Sequence, residues 1–270
     1  MTADETTASR QQGFTLIELS IVLVIIGLLV GGVMVGKDLT EAARIRAIVS
    51  GHQEFAARWN SFKIKYNCFP GDCPNATEFF GTSGSCPGPT ITATCNGNGD
   101  KWVDWTNGAE SKLIWNHMAL ANLSSYSFIN LQGNSSSFSN AFYAVPSFHQ
   151  APVGWIVGST SSLNFAQMYS GGAGNNSATS MRGIGLQTTM ANSLTYSYAP
   201  RVAVERPESV RNIDVKIDDG IPAMGKFQAS GGMKYDSATL LSCITGSNIN
   251  SAYDLTQTEP TCRYIYNLEQ

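Results

Sequence analysis

The chain has 270 residues, a formal net charge of −3 and only 14% charged residues, against about 25% in an ordinary soluble domain. That balance supplies no basic surface for a nucleic acid, and no nucleic-acid partner is expected. No Gly-x-Ser-x-Gly elbow, metalloprotease helix, Walker loop or dinucleotide fingerprint occurs, so no motif points to an enzyme.

Residues 1–13 are polar and carry Asp4, Glu5 and Arg10. An apolar run of 23 residues follows from 14 to 36, broken by one acid, Glu18. As a helix it measures about 34 Å, enough to span a bilayer core. A cleaved secretory signal fits less well, because no basic region precedes the run and no small-x-small site follows it. Glu18 is the anomaly. A carboxylate in hydrocarbon costs roughly 2.5–3.5 kcal/mol, and no basic residue lies within reach on the same helix. A partner from elsewhere is therefore expected. Gly27, Gly31, Gly32 and Gly36 each weaken the helix by about 1 kcal/mol and permit close helix approach.

From 37 to 66 there is no proline. Leu39, Ala43, Ile45, Ile48, Val49, Phe55, Ala56, Trp59 and Phe62 recur largely at steps of three and four, with Glu41, Arg44, Arg46, Glu54, Arg58 and Lys63 between them. The pattern predicts that the helix continues, its second half amphipathic against a globular head. Pro70, Gly71 and Asp72 then read as a turn, with proline presetting φ, glycine tolerating positive φ and aspartate capping the next segment.

The six cysteines, at 68, 73, 86, 95, 243 and 262, all follow the helix. An even count beside an export-type segment favours disulfides in an oxidising compartment and leaves their connectivity open. Local closure suggests Cys68 with Cys73, Cys86 with Cys95 and Cys243 with Cys262. A zinc site is the weaker alternative, since no Cys-x-x-Cys occurs and His52, His117 and His149 are scattered.

Residues 81–108 read as a loop. Within it Asn96, Asn98, Asp100 and Asp104 alternate like the opening of a calcium loop, but Lys101 and Asn107 stand where that pattern wants glycine and glutamate. A plain turn is the simpler reading and calcium at these four residues the alternative. A helix is predicted over 110–123, with Leu113, Ile114, His117, Met118, Leu120 and Ala121 on one stripe and His117 packed rather than ligating. Short strands are predicted at 142–145, 153–157 and 184–186, and an exposed loop at 171–179. Pro207 reads as the first residue of another helix and Gly220 as the glycine just past its end. Asp218 and Asp219 at that end form a second calcium candidate, beside the plainer reading of a salt-bridged helix terminus.

The run Gly13-Phe14-Thr15-Leu16-Ile17-Glu18 ahead of the apolar segment resembles the N-terminus of type IV pilins and of the pseudopilins of type II secretion. The resemblance implies that a prepilin peptidase cuts between Gly13 and Phe14 and that the new Phe14 amine is methylated. It also implies that Glu18 pairs with the N-terminal amine of a neighbouring subunit. At an effective dielectric near 20 such a pair is worth about 4 kcal/mol before desolvation, which consumes much of it. The pair acts more as a register device than as glue. The segment from Tyr66 to Thr77, the Gly-Asn-Gly turn at 97–99 and the run from Asn212 to Pro222 resemble a pilin-like subgroup. Some pseudopilins bind calcium through a C-terminal loop. Val35 stands where many type IV pilins carry proline, so no proline kink is expected.

The implied fold is α+β and type IV pilin-like: a long N-terminal helix, membrane-spanning then amphipathic, packed on an antiparallel β-sheet head. Its parts are a leader (1–13), a transmembrane and assembly helix (14–36), its amphipathic continuation (37–65) and a disulfide-containing head (66–270). The implied function is a structural subunit of a type IV pilus or pseudopilus, with a minor pilin or a membrane-anchored adhesin or DNA-uptake tip module as alternatives. The implied partners are copies of itself or other pilins, the prepilin peptidase and the inner-membrane assembly platform; no cofactor is implied beyond the calcium alternative. The implied location is the inner membrane, single-pass with the head in the periplasm, and then the filament. Basic residues flanking the apolar run, Arg10 before it and Lys37, Arg44 and Arg46 after it, favour the opposite orientation. The cysteines and the leader motif point the head outward.

Overall fold

The computed structural model describes residues 14–81, 95–103, 110–124, 127–130, 142–145, 153–159, 184–190, 203–232, 241–246 and 251–269. The chain divides into two compact units, one ending at Arg44 and the other beginning at Ile45. The predicted long helix is present as α1, Leu16–Tyr66, and runs unbroken through all four of its early glycines. It ends where Asn67 takes the left-handed conformation, with its N–H on the Lys63 carbonyl.

The first unit holds the apolar half of α1. Every large apolar side chain from Leu16 to Leu39 is exposed. Among the described residues, α1 is the one helix long and apolar enough to cross a membrane. Among the described residues, and apart from the helix's own nearby backbone, nothing lies within 4 Å of the positions a Cβ would take at Gly27, Gly31, Gly32 and Gly36; the first pair lies on one face of the helix and the second pair on another.

The second unit begins inside the helix, at Ile45. Ile45, Ile48, Phe55, Ala56, Trp59 and Phe62 are buried, at the spacing their sequence predicted. They share one core with Ile114, Trp115, Met118, Val210, Ile213, Phe227, Tyr264 and Tyr266. Two helices in this unit lie near their predicted places. α3, Glu110–Leu120, stops three residues short of the expected end. There Asn122 turns left-handed, and the N–H groups of Leu123 and Asn122 bond the carbonyls of Met118 and Ala119, the Schellman closure. α4, Pro207–Ile217, starts at its proline as predicted. It stops before Asp218, so Gly220, at φ 76°, serves the following turn and does not cap the helix directly. A short α2, Ala76–Phe80, was not predicted.

Among the described residues the sheet is antiparallel and six-stranded. Its strands are β1 (Ser127–Asn130), β2 (Phe142–Val145), β3 (Val153–Ser159), β4 (Ile184–Met190), β5 (Phe227–Gly231) and β8 (Cys262–Glu269), in the order β1-β2-β3-β4-β8-β5. A two-stranded hairpin, β6 (Ile244–Thr245) with β7 (Ala252–Tyr253), stands apart from it. The last strand of the chain sits between β4 and β5, so the sheet is incomplete until the C-terminus arrives. In β8, Tyr264 and Tyr266 pack against His52 of α1 at 5.7 and 5.5 Å between ring centres. Glu269, at the end of β8, accepts the Trp59 indole N–H at 3.1 Å and the Lys63 ammonium at 2.7 Å. The predicted strand at 142–145 is β2, and those at 153–157 and 184–186 extend to Ser159 and Met190. The loop expected at 171–179 lies outside the described residues.

This division of α1 makes a direct comparison possible. Trp59→Ala is expected to lower head stability by about 3–5 kcal/mol, whereas Val24→Ala, on the exposed half, leaves it unchanged. Chemical denaturation of the full chain in detergent reads both, and an unshifted midpoint for Trp59→Ala would contradict the core assignment.

Candidate functional sites

The first turn of α1 is closed by a reciprocal capping box. Thr15 donates its N–H and its hydroxyl to the same oxygen of Glu18, Oε2, each at 2.8 Å. The Glu18 N–H points back at the Thr15 hydroxyl oxygen at 3.4 Å. This satisfies groups that an open helix end leaves bare, and an acid in the first turn also suits the helix dipole. Glu18 thus has a hydrogen-bond partner within its own chain. The signal is present in the sequence as Thr-x-x-Glu ahead of an apolar run. Phe14 is exposed just outside the helix, and Gly13 lies outside the described residues.

The turn after α1 and the Gly-Asn-Gly loop, separate in the sequence, form one junction. The Cys68–Cys73 disulfide spans the turn with 5.1 Å between Cα atoms. Gly71 sits at φ 90°, and a Cβ there would lie 2.5 Å from the Glu110 carbonyl oxygen. Its N–H donates to His117 Nδ1 at 3.0 Å. Nδ1 is therefore the unprotonated nitrogen, and Nε2–H donates to the Cys95 carbonyl at 2.9 Å. His117 also stacks on Phe62 at 6.2 Å. Burial holds it neutral and lowers its pKa to about 4, with the Cys95 bond pulling the other way. This is the packed histidine expected from its stripe.

Asp72 locks the loop onto the turn. Its two oxygens accept the N–H groups of Gly99 at 2.6 Å and Lys101 at 2.8 Å. Burial raises its pKa, the two amide bonds lower it, and Asp100 adds repulsion. Gly97 has no room for a side chain, since a Cβ would come within 2.4 Å of the Asp72 backbone.

The oxygens of Asp72, Asp100 and Glu110 lie within 4.8 Å of one another, a set of hard ligands for a cation such as calcium. Sequence reading named Asp100 and missed the other two, because they come from distant parts of the chain. The remaining candidates do other work. Asn96 accepts the Thr77 N–H at 2.9 Å, and Asn98 exchanges hydrogen bonds with Asp100. The Glu110 carboxylate accepts the Asn98 N–H at 3.1 Å. Asp104 lies outside the described residues.

At the end of α4, Asp218 Oδ2 accepts the N–H groups of Lys226 and Phe227. Asp219 accepts that of Ile221 at 2.8 Å. Both carboxylates hold the turn into β5, and neither joins a three-ligand cluster among the described residues. The residue missed here is Asp214, one turn earlier. It is fully buried and accepts the Tyr253 hydroxyl at 2.7 Å, which ties α4 to the hairpin. Burial pushes its pKa up to about 6; the Tyr253 bond opposes this, while Asp219 and Asp218 add to it. The hairpin lies within the loop closed by the Cys243–Cys262 disulfide, 4.8 Å between Cα atoms. Cys95 is also disulfide-bonded, and Cys86 lies outside the described residues.

A long apolar helix with a capped glutamate at its start, continuing into an antiparallel-sheet head, is the architecture of a type IV pilin-like protein. Residues 8–34 match the family model of the prokaryotic N-terminal methylation motif. The chain therefore carries the prepilin-type cleavage and methylation motif at the start of α1. No curated protein and no solved structure matches it.

The buried titratable groups set opposing pH slopes. His52 and His117 are both lowered from 6.5 to about 4 by burial. The stability they contribute is present above 6.5 and is lost as pH falls toward 4. Asp214, raised from 3.8 to about 6, contributes stability below 3.8 that is lost as pH rises through 6. Asp214→Asn removes the opposing slope, so acidification from pH 6.5 to 4 should destabilise that variant more steeply than the wild type. Thermal melts across this range read the slopes, and parallel curves would contradict the assignment.

Proposed function

We propose that the chain is a structural subunit of a type IV pilus or pseudopilus, polymerised through the apolar half of α1. The observation that carries this reading is Glu18, capped at the start of the exposed apolar half of α1 within the methylation motif. Prepilin peptidase removes residues 1–13 and the Phe14 amine is methylated. The helix anchors the subunit in the inner membrane with its head in the periplasm, where the disulfides form. The assembly platform then extracts it into a filament with copies of itself or other pilins. The exposed glycines, in two pairs on different faces of the helix, offer points of close approach between helices. The role is structural, and no catalytic step is assigned to the head.

Mass spectrometry of filament-derived protein should find N-methylated Phe14 as the first residue, and an intact Met1 would contradict the processing. Glu18→Ala should insert into the membrane normally and form few filaments; wild-type assembly by this variant would contradict the pairing. The chain should also be the dominant subunit of the purified filaments. A trace amount there would favour a minor or tip subunit instead.

A further inference from the structure

Asp214 lies on the buried face of α4 with Val210 and Ile213, and none of its surface is exposed. Its Oδ2 accepts the Tyr253 hydroxyl at 2.7 Å, and its Oδ1 has no hydrogen-bond partner among the described residues. A buried carboxyl with one neutral donor and a bare second oxygen is held more cheaply as an acid than as an anion. The charges that act on it add to this. Both are negative, Asp219 and Asp218, and only the Gly220 N–H gives the anion further support. The carboxylates of Asp218 and Asp219 are themselves committed to N–H groups of the turn into β5.

The elements packed on α4 are β5, β7 and β8. β5 has no titratable side chain, and Lys226 just ahead of it lies over the Tyr266 ring. On β8, Arg263 donates to Ser230 and to the Gly231 carbonyl, and Glu269 holds Trp59 and Lys63. Tyr264 and Tyr266 of that strand pack against His52, which burial keeps neutral. β7 brings Tyr253, and Asp254 beyond it accepts from Thr256 and Gln257. Glu208, Arg211 and Lys216 of α4 itself are exposed. The hairpin seated by Tyr253 is slight. It pairs only Ile244 with Tyr253 and Thr245 with Ala252, and so short a ladder has little stability of its own.

We propose that Asp214 is a pH-operated latch: its protonated carboxyl seats the β6–β7 hairpin on α4, and its charged form lets the hairpin open while the Cys243–Cys262 disulfide keeps it tethered. Opening brings the bare oxygen to water, which solvates the anion that the closed site does not. The hairpin therefore loosens as pH rises, whereas the buried histidines stabilise the rest of the core in the same direction.

Hydrogen exchange of the oxidised full chain in detergent, corrected for the intrinsic pH dependence of amide exchange, reads the latch at Tyr253 and Asp254. The Asp254 N–H is bonded to the Cys243 carbonyl across the hairpin. With the carboxyl titrating at 3.8 when open and about 6 when seated, protection there should fall about tenfold from pH 5 to 7.5. The amides of Phe55 and Trp59 should show no such fall, and Asp214→Asn should abolish it in the hairpin. Flat or rising hairpin protection in the wild type, an equal fall at Phe55 and Trp59, or an equal fall in Asp214→Asn would overturn the latch. The wild-type curves decide even where the variant does not fold.

Discussion

One carboxylate stands at the start of a helix that is otherwise fit for hydrocarbon, and the chain accommodates it locally. Left bare in the membrane, Glu18 would cost roughly 2.5–3.5 kcal/mol. Thr15 covers one of its oxygens with two hydrogen bonds and in the same arrangement caps the first turn of α1. The helix therefore begins at Leu16, and Phe14 stays outside it. A segment built this way tolerates its acid as a precursor and still has a carboxylate oxygen to offer a cation. In the function proposed above, cleavage before Phe14 would supply that cation.

The same helix serves two solvents. Its first half exposes every large apolar side chain, while its second half buries Ile48, Phe55, Trp59 and Phe62 beneath the head. Polar ties fix that second half at intervals. His52 lies among the rings of Phe227, Tyr264 and Tyr266, Arg58 reaches the Leu123 carbonyl at 3.0 Å, and Lys63 pairs with Glu269. Beyond the helix, the head is stitched by short connections between distant segments. His117 clips the Gly71 turn to Cys95, Asp72 clips it to Gly99 and Lys101, and Asp214 clips α4 to Tyr253. Each of these bonds joins segments that lie far apart in the sequence.

Features encoded by local chemistry are legible in the sequence. The period of the apolar residues predicts α1 and the face it buries, and Pro207 marks the start of α4. Spacing alone suggests the Cys68–Cys73 and Cys243–Cys262 bonds that the structure contains. Features that depend on distant partners are not legible. β8 is buried on both faces from Cys262 to Asn267, so it lacks the alternation that marks a half-exposed strand. β5 is short and carries only one large apolar residue, Phe227, and pairing with β8 makes it a strand. Asp72 and Glu110 cannot be placed beside Asp100 without the fold. Asp214 looks like one more acid on a polar helix until its burial against Tyr253 is seen. Thr15 is different: its capping spacing is readable, but the cost of a bare Glu18 draws attention to a partner in another chain.

The most direct test of the account uses filaments assembled from two pools of the chain. One pool carries isotopically labelled nitrogen in Phe14 and the other labelled carboxyl carbon in Glu18. Solid-state NMR then reads only contacts between subunits from different pools. The account predicts a through-space coupling corresponding to about 4 Å, the separation at which such a charge pair is effective. Well-ordered filaments showing no coupling between the pools would contradict it.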